Sequence, residues 1–213
     1  MAMTKNILLG ILVAHLFLGC KGQPEKRKDS LAVESTQTSI ESPSSGIEDD
    51  FEIIEYSIAE DTLRIVSTSN FLYYPFGCYV GAEEFLERYL FMKKSEEQGS
   101  FIGDTPVSKI ALYRFSFNNS YVKFLHDGEK NRMELVGARI TDEEVLLDNR
   151  VKIGITKADF INRFTNEIGS EQIKNVTVIE FISGALGVWH YYFFENDTLT
   201  SFYIDTDYQL DKD

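Results

Sequence analysis

The sequence predicts an α+β fold: an antiparallel sheet with helices on one face, made of two tandem helix-plus-β-hairpin repeats. Two observations lead to this prediction. From Phe51 onward, apolar residues recur at spacings typical of strands or of helices. In addition, one order of elements, a helix followed by three strands, occurs twice, at about residues 70–146 and again at about residues 147–213.

The two predicted helices resemble each other position by position. Residues 84–89 and 159–164 match in residue class at an offset of 75. The first helix is predicted over residues 82–93 and the second over residues 157–168, because large apolar side chains recur there every three or four positions. Thr156 is the expected N-cap of the second helix, and Gly169 is its expected C-cap.

The strands are predicted from apolar runs that are bounded by turn residues. A first hairpin covers residues 51–58 and 63–67. Further strands are expected at residues 110–117, 121–126, 133–140, 176–182, 188–194 and 199–205. Asn196 and Asp197 are typical of a two-residue hairpin turn, so Phe194 should face Leu199 across the last hairpin.

The N-terminus has the features of a bacterial lipoprotein signal. Lys5 supplies a basic start, residues 7–18 are apolar but too few to cross a bilayer as a helix, and Cys20 follows Phe17-Leu18-Gly19. Residues 1–19 are therefore predicted to be a signal peptide, whose removal leaves lipid on Cys20. Residues 20–50 are polar and predict a disordered tether, and residues 51–213 form a single domain.

Composition excludes several classes of function. The net charge of −13 makes nucleic acid a poor partner, because the two would repel each other. His126 and His190 have no metal-ligand spacing to other residues, and the chain carries no common catalytic motif, so we expect no metal, cofactor or catalytic residue. Cys78 has no CxxC partner and is expected to be a small buried residue.

The second half of the chain resembles a known family. Residues 153–160, a helix ending at Gly169, and the aromatic run of residues 189–194 before a turn look like the repeat of the SmpA/OmlA (BamE-like) outer-membrane lipoproteins. The tandem arrangement resembles that of the β-lactamase inhibitor proteins. These resemblances imply a fold that binds other proteins and has no chemistry of its own.

One face of the sheet is the candidate binding site. If the last hairpin continues regularly from Phe194 and Leu199, then Trp189, Tyr191 and Phe193 lie under the helices and the alternate side chains point away. Tyrosines with a few cations are suited to partner contact, although an ordinary solvated sheet face is the alternative. The candidate binding face consists of Tyr121, Lys123, Arg139, His190, Tyr192 and Tyr203.

The combined features predict a lipoprotein of the bacterial cell envelope, anchored to the outer membrane through Cys20. Three triplets of Asp, Ser or Thr and an apolar residue, at residues 29–31, 61–63 and 197–199, resemble O-glycosylation acceptors of exported Bacteroidota proteins. The first functional hypothesis is a non-enzymatic protein-binding module, either an assembly factor or an inhibitor or immunity protein. The alternative is an envelope enzyme or a glycan-binding lipoprotein with a dispersed site.

Overall fold

A computed structural model describes residues 51–99, 110–128, 130–185 and 187–208. The signal peptide at residues 1–19, the lipidated Cys20 and the tether of residues 20–50 lie outside these residues and stay predictions.

Nine strands of the described residues form one sheet. In chain order they are β1 (Ile53–Ala59), β2 (Thr62–Ser67), β3 (Lys93–Gly99), β4 (Ile110–Phe117), β5 (Ser120–Asp127), β6 (Arg132–Ile140), β7 (Val178–Ser183), β8 (Val188–Glu195) and β9 (Thr198–Thr206). Their order across the sheet is β1-β2-β7-β8-β9-β6-β5-β4-β3. Strands β2 and β7 are parallel, and all other neighbours are antiparallel.

Helices are a minor part of the described residues. Helix α1 (Ala82–Arg88) has seven residues and α2 (Lys157–Ile161) has five, and a 3₁₀ helix covers Asn70–Leu72. Within the described ranges, no helix is long and apolar enough to cross a membrane.

The predicted fold class of an α+β antiparallel sheet with two tandem helix-plus-hairpin repeats was wrong. The structure is a large mixed sheet, because β2 and β7 pair in parallel and the chain has only two short helices in the described residues. Strand β3 was not predicted, since its sequence KKSEEQG lacks any apolar alternation. Both helices also end earlier than periodicity suggests, at Arg88 and Ile161 instead of 93 and 168.

Local signals at the second helix were partly right. The Thr156 side chain accepts a hydrogen bond from the Asp159 N–H and caps α2, as expected. Gly169 does not cap this helix, because α2 ends at Ile161 and the following turns place Phe164 and Ile168 in the core. Asn196 and Asp197 both have positive φ and form the predicted turn between β8 and β9.

The core lies on one face of the sheet and is rich in aromatic rings. Phe85 of α1 packs against Phe115, with ring centroids 4.4 Å apart. Phe160 of α2 packs against Tyr192 of β8 at 4.6 Å. The ring centroid of Phe51, just before β1, lies 4.7 Å from that of Phe164, so Phe51 joins the start of the domain to this core. We call this side of the sheet the core face.

Candidate binding face

A row of side chains crosses the middle of the sheet on the side opposite the core face. The strand pairing places Glu180 beside Tyr191, Tyr191 beside Tyr203, Tyr203 beside Arg139, and Arg139 beside Tyr121. Because neighbouring strands are roughly 4.8 Å apart, this row spans about 19 Å from β7 to β5. We call the row, together with the adjacent Phe193, the open face.

Large aromatic side chains on the open face reach solvent. Phe193 is 40% exposed and Tyr203 is 37% exposed, and Tyr121 and Tyr191 are partly exposed. The Tyr191 and Tyr203 rings stack with centroids 6.3 Å apart. These side chains, with Arg139 and Ser201, line a depression of about 450 Å³. The open face therefore offers stacking surface, phenolic hydroxyls and one guanidinium within a single depression.

The phenols of Tyr191 and Tyr203 are neutral donors. Partial burial raises the pKa of Tyr191, and the nearby Glu180 and Asp205 carboxylates raise it further. Partial burial also raises the pKa of Tyr203, again with a contribution from Asp205. Each hydroxyl thus keeps its proton at physiological pH and can both donate and accept a hydrogen bond.

Four of the six predicted face residues lie on this side of the sheet. Tyr121, Arg139 and Tyr203 belong to the central row, and Lys123 lies two residues from Tyr121, where its ammonium pairs with Glu97 at 2.9 Å. Whether they contact a partner stays a prediction.

The expected outward orientation of His190 and Tyr192 was wrong. Both side chains are fully buried on the core face. Conversely, Tyr191 and Phe193, which were expected under the helices, lie on the open face.

A β-bulge explains this reversal. Phe194 does face Leu199, as predicted, but the register then shifts and Phe193 faces Ser201. Thr200 is the extra residue on β9, so the core residues Phe202 and Ile204 pair with Tyr192 and His190 instead of with Tyr191 and Trp189. Tyr192 and His190 therefore share the core face with them, and the alternate residues of β8 lie on the open face.

Sequence reasoning missed Tyr191 and Phe193 as open-face residues, although a signal for them exists. In β9 the core residues are Leu199, Phe202 and Ile204, so the period of two is broken once, between Leu199 and Phe202. The sequence of β8 gives no sign of this shift, because β8 alternates regularly and aromatic residues occupy both of its faces. A three-residue step within an alternating strand indicates a bulge.

His190 has a structural role on the core face. Its Nε2 lies 3.0 Å from the Leu72 carbonyl oxygen, and its Nδ1 lies 3.0 Å from the Tyr192 hydroxyl. The carbonyl can only accept, so Nε2 carries the proton and the Tyr192 hydroxyl donates to Nδ1. Burial lowers the pKa of His190 to about 3, although the Leu72 hydrogen bond opposes this effect. The imidazole is therefore neutral and joins β8 to the 3₁₀ helix.

Two other expectations concern cysteine and metal. Cys78 is exposed, so the prediction that it is buried was wrong. Among the described residues, no group of three or more His, Cys, Asp or Glu side chains could hold a metal ion.

Comparisons of this chain with protein-family models, with curated proteins and with solved structures found no match. The resemblance to the SmpA/OmlA and β-lactamase inhibitor families therefore stays a proposal.

Proposed function

We propose that this chain is a binding protein of the bacterial cell envelope whose open face contacts a partner protein. The observation that supports this best is the exposed cluster of Phe193, Tyr203 and Arg139 around one depression. Tyrosine and arginine are the residue types that concentrate binding energy at interfaces, and a rigid sheet holds them without a large entropy cost. The solvated face of an ordinary sheet would instead carry mainly polar residues.

The proposal includes a lipid anchor at Cys20 and an outer-membrane location. The support is the sequence of residues 1–20, and the resemblance to the SmpA/OmlA lipoproteins and the β-lactamase inhibitor proteins favours a partner that is itself a protein. Palmitate labelling in the native host tests the anchor. We expect label on the wild-type chain and none on Cys20→Ala. A labelled Cys20→Ala variant, or an unlabelled wild type, contradicts the anchor.

Crosslinking in intact cells tests the partner contact. Phe193→Ala and Tyr203→Ala should each weaken capture of the partner, by about 2 kcal/mol or more where the side chain is an anchor. Leu90→Ala is the matched control, because Leu90 is also an exposed apolar residue but lies outside the open face. Equal capture by all three variants contradicts the proposal.

A glycan is the second candidate ligand. The stacked pair of Tyr191 and Tyr203 places two partly exposed aromatic rings side by side, an arrangement that suits the apolar face of a sugar. If the crosslinked material from intact cells is polysaccharide and contains no protein, and the same two alanine variants lose it, the glycan function replaces the protein-binding function.

A further inference from the structure

Two arginines flank Tyr121 at one end of the open face. Arg139 lies directly beside Tyr121 across the β5–β6 pair. The Arg114 guanidinium lies over the Tyr121 ring, 4.2 Å from its centroid, and its Nε donates to the Ser116 hydroxyl at 3.2 Å. The ring and the Ser116 hydroxyl hold Arg114 in place, while Arg139 is exposed.

Neither arginine has a carboxylate partner among the residues that the structure describes. Two other cations on this side of the sheet are paired: Arg64 Nε lies 2.7 Å from Glu180, and Lys123 lies 2.9 Å from Glu97. Asp205, in the next row, accepts a hydrogen bond from the Thr206 N–H and is not within ion-pair distance of either arginine. In a chain of net charge −13, two arginines around one tyrosine, neither of them with a carboxylate partner within the described ranges, are an unusual local arrangement.

We propose that Arg114, Tyr121 and Arg139 form a subsite for one carboxylate side chain of the partner protein, with apolar neighbours of that side chain packing on Tyr203 and Phe193. This inference rests on the proposed function and names the chemistry that the partner presents. A guanidinium binds a carboxylate through two parallel hydrogen bonds, which fixes the orientation of the bound segment as well as its position.

The charge of the whole chain favours a single carboxylate over an extended polyanion. At physiological salt, charges more than about 8 Å apart are largely screened, so one acidic side chain in the subsite feels mainly the two arginines. An anionic glycan or an anionic lipid surface would place further negative charges beside an acidic chain, and these would be repelled.

The only tryptophan of the chain, Trp189, provides a direct readout. Trp189 lies two residues from Tyr191 on β8 and therefore projects from the same side of the sheet. The full chain in detergent micelles is titrated with three blocked peptides, acetyl-Phe-Glu-Phe-amide and its counterparts with Gln or Lys in the centre, while Trp189 fluorescence is recorded. We expect the Glu peptide to bind at least tenfold more tightly than the Gln peptide, and the Lys peptide to bind most weakly.

Charge-removing variants test the assignment to the two arginines. Arg139→Gln and Arg114→Gln should each reduce the preference for Glu over Gln to about twofold or less. Lys174→Gln, which removes an exposed cation away from the open face, should leave the preference unchanged.

The contrary outcomes are distinct. Equal binding of the Glu and Gln peptides, binding of neither, or an unchanged preference in both arginine variants overturns the subsite. Tighter binding of heparin or of oligogalacturonate than of the Glu peptide overturns it in favour of a polyanion. None of these outcomes changes the crosslinking result with Phe193→Ala and Tyr203→Ala, so failure of the subsite and failure of the proposed function can be told apart.

Discussion

Adjacent residues of β8 have opposite surroundings, which makes their mutational effects predictable. Tyr192 is fully buried beside Phe160 and Phe202, whereas the neighbouring Phe193 is 40% exposed on the open face. Tyr192→Ala should therefore lower the free energy of unfolding by roughly 3–5 kcal/mol as a core deletion. Phe193→Ala should lower it by less than about 1 kcal/mol. Urea denaturation measures both, and equal losses would contradict the orientation of β8.

The buried imidazole of His190 gives a second prediction, on pH. Its pKa is about 3 in the folded protein and about 6.5 in the unfolded chain, so the unfolded state binds the proton more readily. The contribution of His190 to the free energy of unfolding is fully present above about pH 6.5, where the imidazole is neutral in both states. This contribution is lost as the pH falls from there towards 3. The slope that His190 adds approaches 1.4 kcal/mol per pH unit.

Comparison with His190→Gln isolates this contribution. The difference in free energy of unfolding between wild type and variant, measured by urea denaturation from pH 8 to pH 4, should shrink steadily below pH 6.5. A difference that is constant over this range would mean that His190 does not stay neutral in the folded protein.

The residue-level features differ in how far sequence could predict them. The positive φ values of Asn196 and Asp197 follow from the residues themselves, because Asn and Asp tolerate that conformation. The side from which Tyr192 projects does not, because aromatic residues occupy both faces of β8. Only the partner strand, with its three-residue step from Leu199 to Phe202, contains that information.

At the scale of elements, the bulge at Thr200 decides which aromatic residues form the open face. Deleting Thr200 would give β9 a regular register with β8 next to the Asn196–Asp197 turn. Either Phe193 then turns inward in place of Tyr192, or the pairing of β9 with β6 shifts, and both disrupt the core. We expect the deletion to cost several kcal/mol and to abolish cooperative unfolding.

Thr200→Ala is the length-preserving control for this deletion. It removes only the hydrogen bond from the Thr200 hydroxyl to the Phe193 carbonyl, at 3.2 Å, and should change the free energy of unfolding by about 1 kcal/mol or less. Thermal or urea unfolding followed by circular dichroism compares the two. A deletion variant as stable as Thr200→Ala would show that the bulge is dispensable.

Elements with local signals were predicted, and those that depend on distant contacts were not. Hairpins β1–β2 and β8–β9 follow from alternation and turn residues in one continuous segment. The end of α1 does not, since helical periodicity continues past Arg88 while Tyr89 leaves the helix and its hydroxyl donates to the Leu146 carbonyl. The parallel pair of β2 and β7 joins segments more than 100 residues apart, which no local pattern indicates.

At the scale of the whole molecule, the two edges of the sheet differ. Strand β3, at one edge, carries Lys93, Lys94, Glu96 and Glu97. Charges of this kind discourage other chains from pairing with an edge strand. Strand β1, at the other edge, exposes Tyr56 and Ile58 instead. The next strand in the sheet is β2, which pairs with β7 over all six of its residues. This pairing connects the start of the domain to the second half of the chain.

This connection predicts where a minimal folded domain begins. Leu63 and Ile65 of β2 are fully buried, and Phe51 lies 4.7 Å from Phe164 and 5.2 Å from Phe181. Truncation to residues 51–213 keeps these contacts and should leave the free energy of unfolding within about 0.5 kcal/mol of the full chain.

Truncation to residues 70–213 should have a very different result, because it removes β1 and β2 together with Phe51. It would uncover the backbone edge of β7 and the aromatic core beneath it. Losing two fully buried aliphatic side chains and one buried phenylalanine approaches the 5–15 kcal/mol that stabilises a typical domain. We therefore expect no cooperative transition in urea for the 70–213 fragment.

Ile65→Ala in the 51–213 fragment, with an expected loss of roughly 2–5 kcal/mol, is the intermediate case. If residues 70–213 instead unfold cooperatively with nearly the stability of the longer fragment, the parallel junction of β2 and β7 is not needed for the fold, and the strands from β3 to β9 suffice to hold the open face in place.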